Sequence, residues 1–113
     1  MSHKVKNALS KQKDVVVVIP AFNEQNTIGR LIRKSKNFAE VIVIDDNSND
    51  NTFKIAEKNG AKVFSNKTNL GYSRTIKSGI IKARQLGFKI IVSIDADGEH
   101  SPDLINIFIN HSK

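Results

Sequence analysis

The sequence predicts an α/β fold, a parallel sheet with helices on both faces. Three observations predict it. Short β-branched runs recur along the chain, segments with helical spacing of apolar residues separate them, and polar clusters rich in acid follow three of the runs. Such alternation forms a parallel sheet, because each return to the sheet needs a crossover that covers one of its faces. With 113 residues, 39% hydrophobic and 26% charged, the chain has the length and composition of one globular domain.

The elements follow in order. Residues 15–19, VVVVI, are continuously apolar, as in a strand buried on both faces, and the run ends at Pro20. Ile28, Leu31, Ile32 and Ser35 fall on one helical face, with Asn26 or Thr27 as cap. Residues 41–44 form the second strand, and residues 50–59 the second helix, stopped by Asn59 and Gly60. Residues 62–65 give a short third strand. Ile76, Ile80 and Ala83 mark a third helix that ends at Gly87, and residues 89–94 are the fourth strand, with an edge left open to pairing. Ser101 and Pro102 open a fourth helix, with proline at its tolerated first position. In DLINIFIN, Leu104, Ile105, Ile107, Phe108 and Ile109 are apolar on more than one face. This helix is therefore expected to be covered by a partner chain, by self-association, or by further domain beyond Lys113.

The net charge is +7. Residues 1–13 hold four lysines and no acid, which reads as a basic, solvated, flexible tail ahead of a domain over 14–113. The sharper reading of the tail is weak attraction to an anionic membrane face. Nucleic acid is disfavoured as a partner, because the basic residues do not interleave with aromatics. No run approaches the ~18 apolar residues of a membrane span, and MSHKVKNALSKQKD lacks the apolar core of a secretory signal. The absence of cysteine removes disulfides and thiolate ligands and is compatible with a reducing compartment. The expected location is cytoplasmic, peripheral at a membrane where the tail engages one.

In parallel α/β sheets, ligands sit beyond the carboxyl ends of the strands. Phe22-Asn23-Glu24, Asp45-Asp46-Asn47-Ser48 and Asp95-Ala96-Asp97 are therefore expected to converge. Asp95 and Asp97, two apart on extended backbone, point the same way. Carboxylates held so close repel unless a cation lies between them, and hard oxygen donors suit Mg²⁺ or Mn²⁺ bridging to a diphosphate. The plainer reading is a strand-end turn at Asp97-Gly98. Asp45 to Ser48 reads either as turn and cap or as acceptors for a base N–H or a ribose hydroxyl. Glu24 equally suits the first turn of a helix. No G-x-G-x-x-G follows the first strand and no G-x-x-x-x-G-K-[ST] occurs, against the usual dinucleotide fold and the P-loop. Of the histidines, only His100 lies near acids; His3 falls in the tail and His111 on the last helix.

Four stretches in order, VVVVIPAFNEQNTIGRLI, VIVIDDNSNDNT, NLGYSRTIKSGIIKA and VSIDADGEH, resemble the successive motifs of family 2 glycosyltransferases with the GT-A fold. The likeness is nearest to the dolichyl-phosphate mannose or glucose synthase type and covers nearly the whole chain. It implies a Rossmann-like parallel sheet as the nucleotide-binding part of a truncated GT-A fold. It also implies a UDP- or GDP-sugar ligand, Mg²⁺ or Mn²⁺, and a lipid-phosphate or other acceptor. By resemblance Pro20, Phe22 and Glu24 line the nucleotide pocket, Phe22 standing where the family usually has tyrosine. Ile44 and Asp46 contact base and ribose, and Asp95 and Ala96 contact the nucleotide sugar. Asp95, Asp97 and Glu99 form the metal site, Glu99 standing where the synthases often place a glutamine near the metal, and Lys77 matches a basic position of the third-helix motif. The family normally continues into a half that holds the acceptor site and catalytic base, so no catalytic residue is assigned and catalysis by this chain alone is not expected. One rival reading is a non-catalytic binding or assembly module of the same fold. Another is a haloacid dehalogenase-type phosphatase, whose Asp-x-Asp-Gly-Thr follows the first strand and has threonine at the place of Glu99. A third is a receiver-like signalling domain, whose acidic pair follows the first strand rather than the second.

Overall fold

A computed structural model describes residues 12–96 and 106–109. Its elements are β1 (Gln12–Ala21), α1 (Ile28–Ser35), β2 (Ala39–Asp45), α2 (Thr52–Lys58), β3 (Lys62–Ser65), α3 (Tyr72–Gln85), β4 (Ile90–Ser93) and β5 (Asn106–Ile109). They build one sheet of order β3-β2-β1-β4-β5. The first four strands are parallel, and β5 runs antiparallel to β4.

The run of valines is apolar at every position because β1 is central and both its faces are covered. Val17, Ile19, Val41 and Val43 pack on one side against Ile28 and Ile32 of α1 and Ala56 of α2. Val16, Val18, Ile42, Ile44 and Ile91 pack on the other against Ala83 and Ile80 of α3. The period-2 alternation of a strand thus splits one sequence run between two cores. Gly79 lets α3 lie close to the sheet: a Cβ there would stand 3.0 Å from Ile44 Cγ1 and nearer still to Val18 Cγ1.

The chain runs outward from β1 through β2 to β3. It then returns across β2 and β1 by way of α3 to pair β4 with the free side of β1. The strand order therefore reverses between β1 and β4, and in open parallel sheets the crevice at such a switch point takes the ligand.

β3 has the expected bounds, whereas β1 reaches from Gln12 to Ala21, β2 from Ala39 to Asp45, and β4 is shorter than expected at Ile90–Ser93. One expectation is overturned. The segment read as a fourth helix forms strand β5 over Asn106–Ile109, pairing Ile107 with Val92 and Phe108 with Ile91. Three β-branched or aromatic residues in succession, Ile107, Phe108 and Ile109, suit a strand, and all-round apolarity is the mark of a sheet strand as much as of a covered helix. The open edge expected on β4 is taken by β5. Ser101 and Pro102 lie outside the described residues.

Candidate functional site

A cleft of about 400 Å³ opens at the carboxyl ends of the strands, lined by Pro20, Ala21, Phe22, Glu24, Asp46, Asn69, Gly71, Tyr72, Thr75, Asp95 and Ala96. Strand alternation explains its composition. Pro20 continues the row of Val16 and Val18, Asp46 that of Ile42 and Ile44, and Asp95 that of Ile91, all on the α3 side of the sheet.

Pro20 also shapes the opening. The Ile94 N–H donates to the Val18 carbonyl at 3.1 Å. The next rung of that parallel ladder would start from the backbone nitrogen of residue 20, and proline has no N–H. The β1–β4 ladder ends there, one residue before Asp95.

Asp46 is only 4% exposed. Its Oδ1 accepts from the Leu70 N–H at 2.8 Å and from Asn66 Nδ2 at 2.8 Å, and its Oδ2 accepts from the Gly71 N–H at 2.9 Å. Asn66 Nδ2 also donates to Thr75 Oγ1 at 3.1 Å, and Asn69 Nδ2 to the Asp46 carbonyl at 3.2 Å. Burial by itself would raise the Asp46 pKa. The bonds from Leu70, Asn66, Gly71 and Thr75 together outweigh it and leave the pKa below 3.8. The carboxylate thus stays charged at the amino end of α3, where the helix dipole favours an anion, and it holds the 66–71 loop.

Its neighbour Asp45 points to the opposite face and serves the turn, with Ser48 Oγ donating to Oδ1 at 2.5 Å. The adjacent acids are thereby separated by the pleat. The loops after β1 and β2 are stitched together by side chains. The Asn23 N–H donates to Ser48 Oγ at 2.8 Å, the Asn49 N–H to Asn23 Oδ1 at 2.8 Å, and the Glu24 N–H to Thr52 Oγ1 at 2.8 Å. Asn23 and Asn47 sit at φ 53 and 64, a left-handed region that asparagine tolerates better than most residues. At Asp50, burial again raises the pKa and is outweighed by bonds from Thr52 and from the Gln25 N–H, so the net shift is downward. Thr27 Oγ1 donates to the Ala96 carbonyl at 2.5 Å, tying the start of α1 to the chain beyond β4.

Of the residues singled out in the sequence, Pro20, Phe22, Glu24, Asp46, Asp95 and Ala96 meet in the cleft. Ile44 does not: it is 1% exposed and lies in the core beneath α3. Asp97, Glu99 and His100 lie outside the described residues. Lys77 is exposed on the outer face of α3, in a separate depression. The cleft residues Asn69, Gly71, Tyr72 and Thr75, and Asn66 beside them, were not singled out. Their one sequence signal is the stretch NLGY ahead of the third helix, where Gly71 adopts φ 90.

Among the described residues, no three Asp, Glu, His or Cys side chains gather closely enough to hold a metal ion. Mg²⁺, however, is commonly held by one or two carboxylates, with water and substrate phosphates completing the shell. Asp95 supplies a hard oxygen donor of that kind in the cleft, so the donor chemistry fits. No described helix is long and apolar enough to cross a membrane.

Residues 16–113 match the family described as Glycosyl transferase family 2. An uncharacterized protein of Methanocaldococcus jannaschii is 38% identical over 98 residues, covering 85% of this chain and 40% of the relative. The UDP-N-acetylglucosamine–dolichyl-phosphate N-acetylglucosaminyltransferase of Methanococcus voltae is 34% identical, covering 89% of this chain and 49% of the relative. The chain thus spans less than half the length of these relatives. Among solved structures, glucosyl-3-phosphoglycerate synthase from Mycobacterium tuberculosis, crystallised with Mn²⁺, UDP-glucose and phosphoglyceric acid, superposes with a TM-score of 0.60 at 26% identity. That match covers 85% of this chain and 37% of the other. The phosphatase and receiver readings share neither this match nor the place of the acidic motif after β4. The switch-point cleft, the ordered motifs that line it and the match over residues 16–113 agree, and the chain belongs to glycosyl transferase family 2.

Proposed function

We propose that the cleft binds a nucleoside-diphosphate sugar, a UDP-sugar in the first place, as the donor-binding part of a glycosyltransferase whose acceptor is a lipid phosphate. The observation that carries this reading is the cleft itself. Three chain segments separated in sequence bring Pro20, Phe22, Glu24, Asp46, Asp95 and Ala96 to one opening at the switch point. Relatives support the choice of ligand: one is named for UDP-N-acetylglucosamine and dolichyl phosphate, and another was crystallised with UDP-glucose.

The residues divide the work by chemistry. Phe22 and Tyr72, 43% and 55% exposed at the mouth, offer flat apolar surfaces for the base. Asp46 already occupies the anion position at the amino end of α3, so the diphosphate charge has to be met elsewhere in the cleft. Asp95, with Asp97 two residues on, would hold Mg²⁺ or Mn²⁺ there. When bound, the ion offsets the negative charge that develops on the departing nucleoside diphosphate. Thr27, through its bond to the Ala96 carbonyl, positions the backbone between the two aspartates. The transfer step itself is assigned to no residue of this chain, and a non-catalytic binding role for it remains the alternative.

An NMR titration with UDP-glucose, UDP-N-acetylglucosamine and GDP-mannose, each with and without Mg²⁺, tests the reading. The expected result is metal-dependent shifts at the cleft residues with a UDP-sugar, abolished by Asp95→Asn. A folded protein whose cleft resonances ignore every nucleotide would overturn it. Nucleotide binding with no transfer to a polyprenyl phosphate, followed by mass spectrometry, would assign the chain to binding rather than catalysis.

A further inference from the structure

From residue 58 to residue 94 the chain carries eight lysines and arginines and no acid. This stretch contains all of α3. Arg74, Lys77, Ser78, Ile81, Lys82 and Gln85 recur at helical spacing and line a shallow depression of about 390 Å³, on the face of α3 opposite its buried Thr75, Gly79 and Ala83. Acids paired with bases at i, i+4 offset like-charge repulsion on a helix surface; this helix offers no acid to its cations. Ile81, 45% exposed, stands amid the cations, and Lys82 Nζ lies 4.8 Å from the centroid of the Phe64 ring on edge strand β3.

We propose that the outer face of α3 docks the protein onto an anionic lipid bilayer. From Arg74 to Lys82 the cations span about 12 Å along the axis at 1.5 Å per residue, too far apart to converge on one phosphate and suited to an array of headgroups. The stripe holds no aromatic side chain for base stacking, which disfavours nucleic acid, whereas a cation-flanked isoleucine suits the boundary between headgroups and acyl chains. Gly71, Tyr72 and Thr75, at the amino end of the same helix, line the cleft. Docking along α3 therefore sets the cleft mouth at the bilayer surface, within reach of a lipid-linked phosphate. That last consequence rests on the proposed donor site, whereas the docking does not.

The test is co-sedimentation of the full chain with vesicles of phosphatidylcholine, alone or mixed with phosphatidylglycerol, without nucleotide. A failed donor site therefore leaves the result untouched. The expected result is binding to the anionic vesicles only, weakened by salt. The Arg74→Gln, Lys77→Gln, Lys82→Gln triple variant should lower the partition coefficient on the order of 100-fold at low salt, and Ile81→Ser alone roughly fivefold. Replacing Lys4, Lys6, Lys11 and Lys13 by glutamine should cost less than the triple variant. Circular dichroism checks that each variant is folded, and the single Ile81→Ser change keeps the proposal open to refutation if the triple does not fold. Unaltered binding by the triple variant, loss of binding with the tail lysines alone, or equal binding to neutral vesicles would each overturn the proposal. So would tighter retention on single-stranded RNA that the same triple variant abolishes.

Discussion

Asp46 accepts hydrogen bonds from two backbone N–H groups and one asparagine amide, which makes it as much a structural residue as a ligand candidate. Asp46→Asn puts an amide NH₂ among those donors and removes the charge they stabilise. The expected cost is about 2 kcal/mol, read as a lower urea midpoint. The pH dependence has a definite sign. Asp46 and Asp50 both have folded-state pKa values below 3.8. The stability they contribute is present above the unfolded value of about 3.9 and is lost as pH falls through the lowered folded values. Urea midpoints measured downward from about pH 5 should hold level and then drop below about pH 4, and Asp46→Asn should flatten part of that drop. The carboxylate's place after a buried strand was legible in the sequence. Its partners were not, because Leu70 and Gly71 bond through main-chain groups whose direction depends on a loop conformation that their side chains do not encode. Ile44 shows the same limit from the other side: next to Asp45 and Asp46 in sequence, it is turned into the core by the pleat.

At the scale of elements, the close approach of α3 to the sheet rests on Gly79. Alanine there gains up to ~1 kcal/mol in helix propensity but drives a methyl into Val18 and Ile44, and overpacking costs ~1–3 kcal/mol. Thermal unfolding should therefore show Gly79→Ala to be destabilised, against the order of propensities. Thr27 makes the other junction. Thr27→Val keeps the shape and removes the bond to the Ala96 carbonyl. Faster amide exchange just after β4 and weaker metal-dependent nucleotide binding are expected, with little change in overall stability. The β-branched runs and Gly-marked helix ends made the first seven elements readable, β3 to the residue. The last was misread because Asn106–Ile109 is too short for periodicity to separate a helix face from a strand, and pairing with β4 decided the matter.

At the scale of the molecule, burial is concentrated in β1 and β2. Val16, Val18, Ile19, Ile42 and Val43 are fully buried, whereas β3 has half-exposed and exposed positions throughout. Native-state hydrogen exchange should place the slowest amides in β1 and β2, and faster opening in β3. Reversal of strand order at β1 and β4 could be anticipated only as a general rule for alternating elements, since the direction of the α3 crossover is settled by which face has apolar surface left to cover. The stitched loops after β1 and β2 carry a consequence of another kind. Asn23, Ser48, Asp50 and Thr52 bind one loop to the other, so their conformational entropy is surrendered once, when the chain folds. A visitor to the adjoining cleft, lined by Phe22 and Glu24 on either side of Asn23, meets a wall already set there, and little of its affinity is spent on ordering it. Calorimetry at this cleft should record a heat-capacity change scaled to the visitor's own buried surface, as for a key entering a finished lock rather than a hand closing a glove.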